Sequence, residues 1–104
     1  PRAKSLMLCG AIKVCDIGHA FADTNQHAEW SERLEEELYK QGDLERSVGL
    51  PMSHLMDRSK PGATQSQLGF FNIVVRPLTA AWAACFPNCR TLVELLEVNY
   101  MHWQ

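Results

Sequence analysis

Apolar positions recur at helical spacing over most of the chain, and no two alternating runs offer each other strand partners. Leu6, Leu8, Ile12 and Cys15 draw an apolar stripe between Lys4 and Asp16, which Gly18 ends. A polar stretch from Phe21 to Gln26 reads as loop. Beyond it, Trp30, Leu34 and Leu38 step by four along one face while Glu32, Arg33, Glu36 and Lys40 hold the other, which predicts a helix from about His27 to Gln41. Gly42 is expected to close that helix, with a short helix over Asp43 to Val48 after it. Gly49, Pro51, Pro61 and Gly62 bracket a loop around Met52 to Lys60. Thr64 with Gln67, and Thr91 with Glu94, have the spacing of a capping box and mark two more helix starts. The first of these helices runs through Phe70, Val74 and Leu78 to Phe86, with Pro77 imposing a kink or break, and the second runs from Thr91 toward Trp103. The strand-like run Phe70 to Val75 is a buried helix face. The predicted fold class is an all-α helical bundle.

At 104 residues, with 46% hydrophobic and 21% charged positions, the chain has the make-up of one ordinary globular unit. A net charge of −2 supplies no basic field for a nucleic acid polymer. The apolar run Leu6 to Ile12, interrupted by Gly10 and stopped by Lys13, falls far short of the ~20 residues of a membrane span. Neither Cys9 with Cys15 nor Cys85 with Cys89 has zinc-knuckle spacing, so all four are read as reduced, structural thiols of a cytoplasmic protein. Cys9 and Cys15 are expected on a core helix, and Cys85 as a small buried residue on an alanine-rich face. The start at Pro1 reads as a cut.

Three residues stand out chemically. Asp16 ends an apolar helix, where its charge opposes the helix dipole and calls for a partner. Gln67 and Phe70, at i and i+3, share one helix face, so a side-chain amide and an aromatic ring point the same way. From the residues alone, Gln67 serves either its own helix terminus or a ligand.

Cys15-Asp16-Ile17-Gly18-His19, Gln41-Gly42-Asp43-Leu44-Glu45-Arg46 and Ser66-Gln67-Leu68-Gly69-Phe70 occur in the order and at the separations found in the C-terminal third of the catalytic domain of class I cyclic nucleotide phosphodiesterases. The resemblance covers Leu6 to about Phe86. His19 with His27, and Gly49-Leu50-Pro51-Met52-Ser53, are most similar to the calmodulin-stimulated, dual-specificity branch and its protist or plant relatives. It implies that residues 1–104 are the C-terminal part of such a domain, whose upstream metal-binding half is not in this sequence. It further implies that Asp16 is a metal ligand in a complete domain holding zinc and magnesium (or manganese). By the same resemblance Gln67 hydrogen-bonds the purine edge, Phe70 packs on the base, and His19, His27, Trp30, Leu34 and Leu55 line the pocket with Ser31 and Leu38.

The implied activity is hydrolysis of 3′,5′-cyclic AMP, cyclic GMP or both to the 5′-monophosphate. This chain would supply one metal ligand and the base-recognition wall but no catalytic residue, since none of His19, His27, His54 or His102 has a neighbouring aspartate. Alone it would be inactive. The implied partners are a cyclic nucleotide, the other half of the domain, and a dimer or larger assembly. The alternative is a non-catalytic, phosphodiesterase-derived helical interaction module. Glu35 departs from the family's usual apolar residue, and a carboxylate facing the base there would carry a large desolvation cost. Leu38, where an aromatic is usual, thins the same wall.

Overall fold

A computed structural model describes residues 2–104; Pro1, where a cut is expected, lies outside the described residues. The chain is all-α: helix α1 (Arg2–Asp16), a 3-10 turn (Gly18–Phe21), the long helix α2 (Thr24–Ser47), an extended loop, then a continuous helical run leading into a last helix. That run comprises a 3-10 turn (Thr64–Ser66), α3 (Gln67–Phe70), a π-helical turn (Phe71–Val75) and α4 (Arg76–Cys85). A 3-10 turn (Pro87–Cys89) joins it to α5 (Arg90–Trp103).

Helix α2 begins where Asp23 caps it, its carboxylate accepting the Gln26 N–H at 3.1 Å. It does not stop at Gly42. The glycine is buried inside the helix because the loop backbone at Met56 lies against it, and a Cβ there would stand 1.8 Å from the Met56 carbonyl oxygen. The expected pair of helices is therefore one helix with a glycine contact point, and the chain turns only at Gly49, whose φ of 79° is left-handed. Arg58 ties the same loop to α2 by binding Glu36 and Asp43 together.

Neither capping box forms. The Thr64 hydroxyl is engaged by Glu35, and α5 starts at Arg90, which places Thr91 inside the helix. Pro77 does not break the helical run either. It sits in the first turn of α4, directly after the π turn, where a missing N–H is tolerated. Phe70 to Val75 is helical, as expected, but only Phe71 and Val75 turn inward, and Ile73 is 78% exposed. By length and composition alone the 22-residue run Thr64–Cys85 would reach across a bilayer. Its inward face packs against α5 instead, and Arg76 pairs with Glu97 across that contact at 2.9 Å.

The core is small. Ala20, Phe71, Val75 and Leu96 form it, with Ile17, Phe21, Phe70, Tyr100 and Trp103 around the edge. Asn99, fully buried on α5, donates to the carbonyls of Ala20 and Ala22 at 2.8 Å each and accepts the Thr24 hydroxyl at 3.0 Å. This one side chain binds the turn after α1 and the start of α2 to α5. Helix α1 stands apart. Only Val14 is buried, Gly10 packs on Trp82, and Leu6, Leu8 and Ile12 are about 60% exposed. Cys9, Cys15 and Cys85 are exposed free thiols, against the expectation of buried ones, because the faces they occupy have no covering helix in this chain.

Candidate functional site

One cavity of about 450 Å³ opens between the middle of α2, the loop after it and the α3 region. Leu34 and Leu38 contribute from α2, His54 and Leu55 from the loop, and Gln67 and Phe70 from α3, while the π turn adds Ile73 and Val74. Its size suits a small ligand, and the lining is overwhelmingly apolar. Ile73 and Val74, three and four positions after Phe70, fall on the same side of the helical run as Phe70. Leu55 is held at φ 66°, a left-handed conformation that a branched side chain adopts only when its surroundings enforce it.

Gln67 is the polar point in this wall. It is 3% exposed, and its Nε2 donates to the Ala63 carbonyl at 3.1 Å. Because a carbonyl oxygen only accepts, this bond fixes which end of the amide faces the backbone. The other end, Oε1, is buried without a hydrogen-bond partner among the described residues. A buried carbonyl left unpaired costs about 1–3 kcal/mol, a cost that an N–H donor on a bound molecule would remove.

Of the remaining residues expected to line the pocket, His19, His27, Trp30 and Ser31 are not on the cavity. The His19 ring lies nearly parallel to Phe70, centroids 6.4 Å apart, behind the cavity wall. His27 is fully buried. Trp103 Nε1–H donates to its Nε2 at 2.8 Å, which leaves the proton of the neutral ring on Nδ1. That nitrogen donates to the His19 carbonyl at 3.0 Å and lies 3.1 Å from His19 Nδ1. Burial, the nearby His19 charge and a weaker effect of His102 hold the His27 pKa down at about 4 despite the bond to the His19 carbonyl; burial also lowers that of His19. Trp30, one turn ahead of Leu34, is 55% exposed beneath the Arg33 guanidinium.

Glu35 does not face the cavity. Its Oε1 accepts the Thr64 N–H at 3.2 Å and the Thr64 hydroxyl at 2.7 Å, so the desolvation expected of an unpaired carboxylate does not arise. Sequence reasoning missed this pairing, and it missed His54, Ile73 and Val74 as wall residues. It also missed Trp103 and Asn99, although a polar residue three positions after Leu96 on an apolar helix stripe was a usable signal.

Asp16 is exposed at the last residue of α1. Among the described residues no three His, Cys, Asp or Glu side chains converge to hold a metal ion. A single carboxylate is one ligand where a zinc or magnesium site needs several, so the residues present do not by themselves fit a metal.

The family model for 3′5′-cyclic nucleotide phosphodiesterase matches residues 1–96. The chain is 39% identical over 94 residues to 3′,5′-cyclic-AMP phosphodiesterase 4 of Dictyostelium discoideum, which covers 90% of this chain and 9% of that protein. It is 43% identical over 74 residues to a probable 3′,5′-cyclic phosphodiesterase of Caenorhabditis elegans, covering 71% of this chain and 11% of that one. It is also 42% identical over 77 residues to the dual specificity calcium/calmodulin-dependent 3′,5′-cyclic nucleotide phosphodiesterase 1B of Homo sapiens, covering 74% and 14%. The chain thus spans a small part of the length of the relatives it matches. With a helical fold, an apolar cavity and a buried glutamine at its wall, and a family match across nearly its whole length, the chain belongs to the 3′,5′-cyclic nucleotide phosphodiesterase family.

Proposed function

We propose that this chain is the base-reading part of a phosphodiesterase catalytic domain that hydrolyses 3′,5′-cyclic AMP, cyclic GMP or both to the 5′-monophosphate. The unpaired, buried Oε1 of Gln67 at an apolar cavity carries the reading. Adenine offers an N–H from its exocyclic amine and guanine offers one from N1, so an acceptor there suits either purine. Phe70, Leu55 and Leu34 line the same cavity and would cover the base. His19, by lying along Phe70, and His27, by holding His19, act from behind that wall. Trp30 extends the same face of α2 outward.

In this proposal Asp16 lends one ligand to a metal centre, zinc with magnesium or manganese, that residues elsewhere in the domain complete. The other half of the domain is also the partner that covers α1. Four free thiols support a reducing compartment, the cytoplasm. The exposed apolar face of α1 is the observation that favours the second reading, a helical interaction module.

The test is Gln67→Ala in the full-length parent protein. Losing the amide forfeits about 1–3 kcal/mol of hydrogen bonding, a rise of roughly ten- to hundred-fold in KM for the preferred cyclic nucleotide. Unchanged kinetics with a lowered melting temperature would assign Gln67 to the helix terminus and sink the base-reading role.

A further inference from the structure

Ties at Ser53, Met56, Arg58 and Lys60 stitch the loop that follows α2 back along that helix. The Ser53 N–H and hydroxyl donate to the two Glu45 carboxylate oxygens at 2.8 and 3.0 Å. The Met56 backbone lies on Gly42, so closely that a side chain at Gly42 would overlap the Met56 carbonyl. Arg58 donates to both oxygens of Glu36 at 2.9 and 3.1 Å and to Asp43 at 2.9 Å, and its guanidinium lies 5.2 Å from the centre of the Tyr39 ring. Tyr39 in turn donates to the Lys60 carbonyl at 2.9 Å. As the loop advances from Ser53 to Lys60, its partners step back along α2 from Glu45 toward Tyr39 and Glu36.

Between the Ser53 and Met56 ties stand His54 and Leu55, which line the cavity. Leu55 has a φ of 66°, a conformation that a branched residue keeps only while the backbone on either side of it is held. Glu36 and Tyr39, which anchor the far end of the loop, flank Leu38 in α2, and Leu38 lines the same cavity. Arg58 is the broadest of these anchors, because its planar fork reaches two carboxylates at once, a geometry that lysine does not reproduce.

We infer that Arg58 is a positioning residue for substrate affinity: by clamping the loop on α2 through Glu36 and Asp43, it holds Leu55 against the cavity in its left-handed conformation. The inference rests on the proposed reading of that cavity as the base site. Arg58 is not on the cavity wall and touches no substrate there; it acts through the loop. Its ion pairs are exposed, and exposed pairs add little to global stability. Without Arg58 the fold therefore survives, while the loop loses its clamp beyond Met56 and Leu55 relaxes to an ordinary backbone conformation that takes its side chain off the wall.

The experiment measures kcat and KM for the preferred cyclic nucleotide, with a thermal melt beside each, in the full-length parent protein. Arg58→Ala is expected to raise KM about three- to ten-fold, no more than the whole Leu55 contact supplies, with kcat within about two-fold and the melting temperature almost unchanged. Arg58→Lys, which keeps the charge but not the fork, is expected to fall between Arg58→Ala and the unaltered protein. Added to Leu55→Ala, the Arg58→Ala change is expected to raise KM by less than about two-fold more, because the side chain it positions is already gone. Glu45→Ala frees the other end of the same stretch; it is expected to raise KM in the same direction and is the readout if Arg58→Ala fails to fold. An unchanged KM in Arg58→Ala, or a rise of the same size with and without the Leu55 side chain, overturns the inference and leaves Arg58 as a structural tie. Failure of the underlying reading looks different: there Leu55→Ala itself leaves KM unchanged, and the inference falls with it.

Discussion

Helix α1 and the wall around Gln67 are both left unsatisfied within this chain, but in opposite senses. On α1 the unsatisfied groups are apolar: Leu6, Leu8 and Ile12 face outward with no covering element. At the cavity the apolar groups enclose a space, and what lacks a partner is one oxygen, Gln67 Oε1. An extended apolar face is relieved by another protein surface, whereas a single buried acceptor in an apolar cavity is relieved by a small molecule carrying one donor. The overall shape agrees with the first half of that contrast. A radius of gyration of 15.8 Å exceeds the ~13 Å of a compact domain of this length, and one principal extent is only 19 Å. The molecule is a slab with an apolar recess beside Gln67 and an uncovered apolar face on α1.

The largest effect that sharpens this comparison comes from paired truncations in the full-length parent. Phe71 is wholly buried in the core made by this chain itself, so Phe71→Ala is expected to cost about 3–5 kcal/mol by urea denaturation. Leu8→Ala is expected to cost about 2–5 kcal/mol there too if, as proposed, the rest of the domain covers it, although nothing described in this chain does. A cost below about 0.5 kcal/mol, typical of an exposed position, would mean that α1 stays bare in the parent and would break the contrast.

Next in size is the acid sensitivity of the layer behind the cavity. His27 is held neutral, with its pKa lowered from 6.5 to about 4 chiefly by burial. In the unfolded chain it takes up a proton below pH 6.5 and in the folded chain only near pH 4, so between those values the unfolded state binds more protons and stability falls as pH falls. The contribution is complete above pH 6.5 and on the order of 2–3 kcal/mol is lost by pH 4. Measured against pH, the unfolding free energy should show this loss, and His27→Gln should remove it. Parallel profiles for the two proteins would mean that His27 is solvated and that the stack behind Phe70 is loose.

Much of the fold was legible because helical periodicity is a local property. The stripes from Trp30 to Leu38 and from Phe70 to Leu78 follow from spacing alone. The misreadings share one cause. Gly42 reads as a helix end, Thr64 as a cap and Glu35 as a misplaced charge when only sequence neighbours are weighed, but each is used by a segment distant in sequence. Met56 packs on Gly42, and Glu35 reaches across to Thr64. The burial expected of α1 fails for a related reason, since an apolar stripe states that a face needs cover and not which part of the protein supplies it. At the cavity, Gln67, Phe70, Leu34 and Leu55 were legible through the family's motif, whereas His54 depends on a loop conformation that no spacing rule announces, and Ile73 and Val74, three and four positions after Phe70, were a helical-spacing signal left unused.

The smallest effect concerns Leu55, whose left-handed backbone distinguishes a wall shaped for a ligand from one that merely fills space. At φ 66° a branched side chain costs about 1–2 kcal/mol that glycine does not. Elsewhere in a fold, glycine is less stable than alanine by roughly 0.5–1 kcal/mol, because it has more freedom to lose. At this position the order is expected to reverse: both variants lose the leucine side chain, but Leu55→Gly sheds the backbone strain and Leu55→Ala keeps it. Leu55→Gly should therefore melt at or above the temperature of Leu55→Ala. Base affinity should move differently, both variants raising KM up to about ten-fold because both delete the same apolar contact over the base. Thermal melts and substrate kinetics on the two proteins separate the outcomes. A glycine variant that is the less stable of the pair removes the strain argument, and unaltered KM in both takes Leu55 out of the wall.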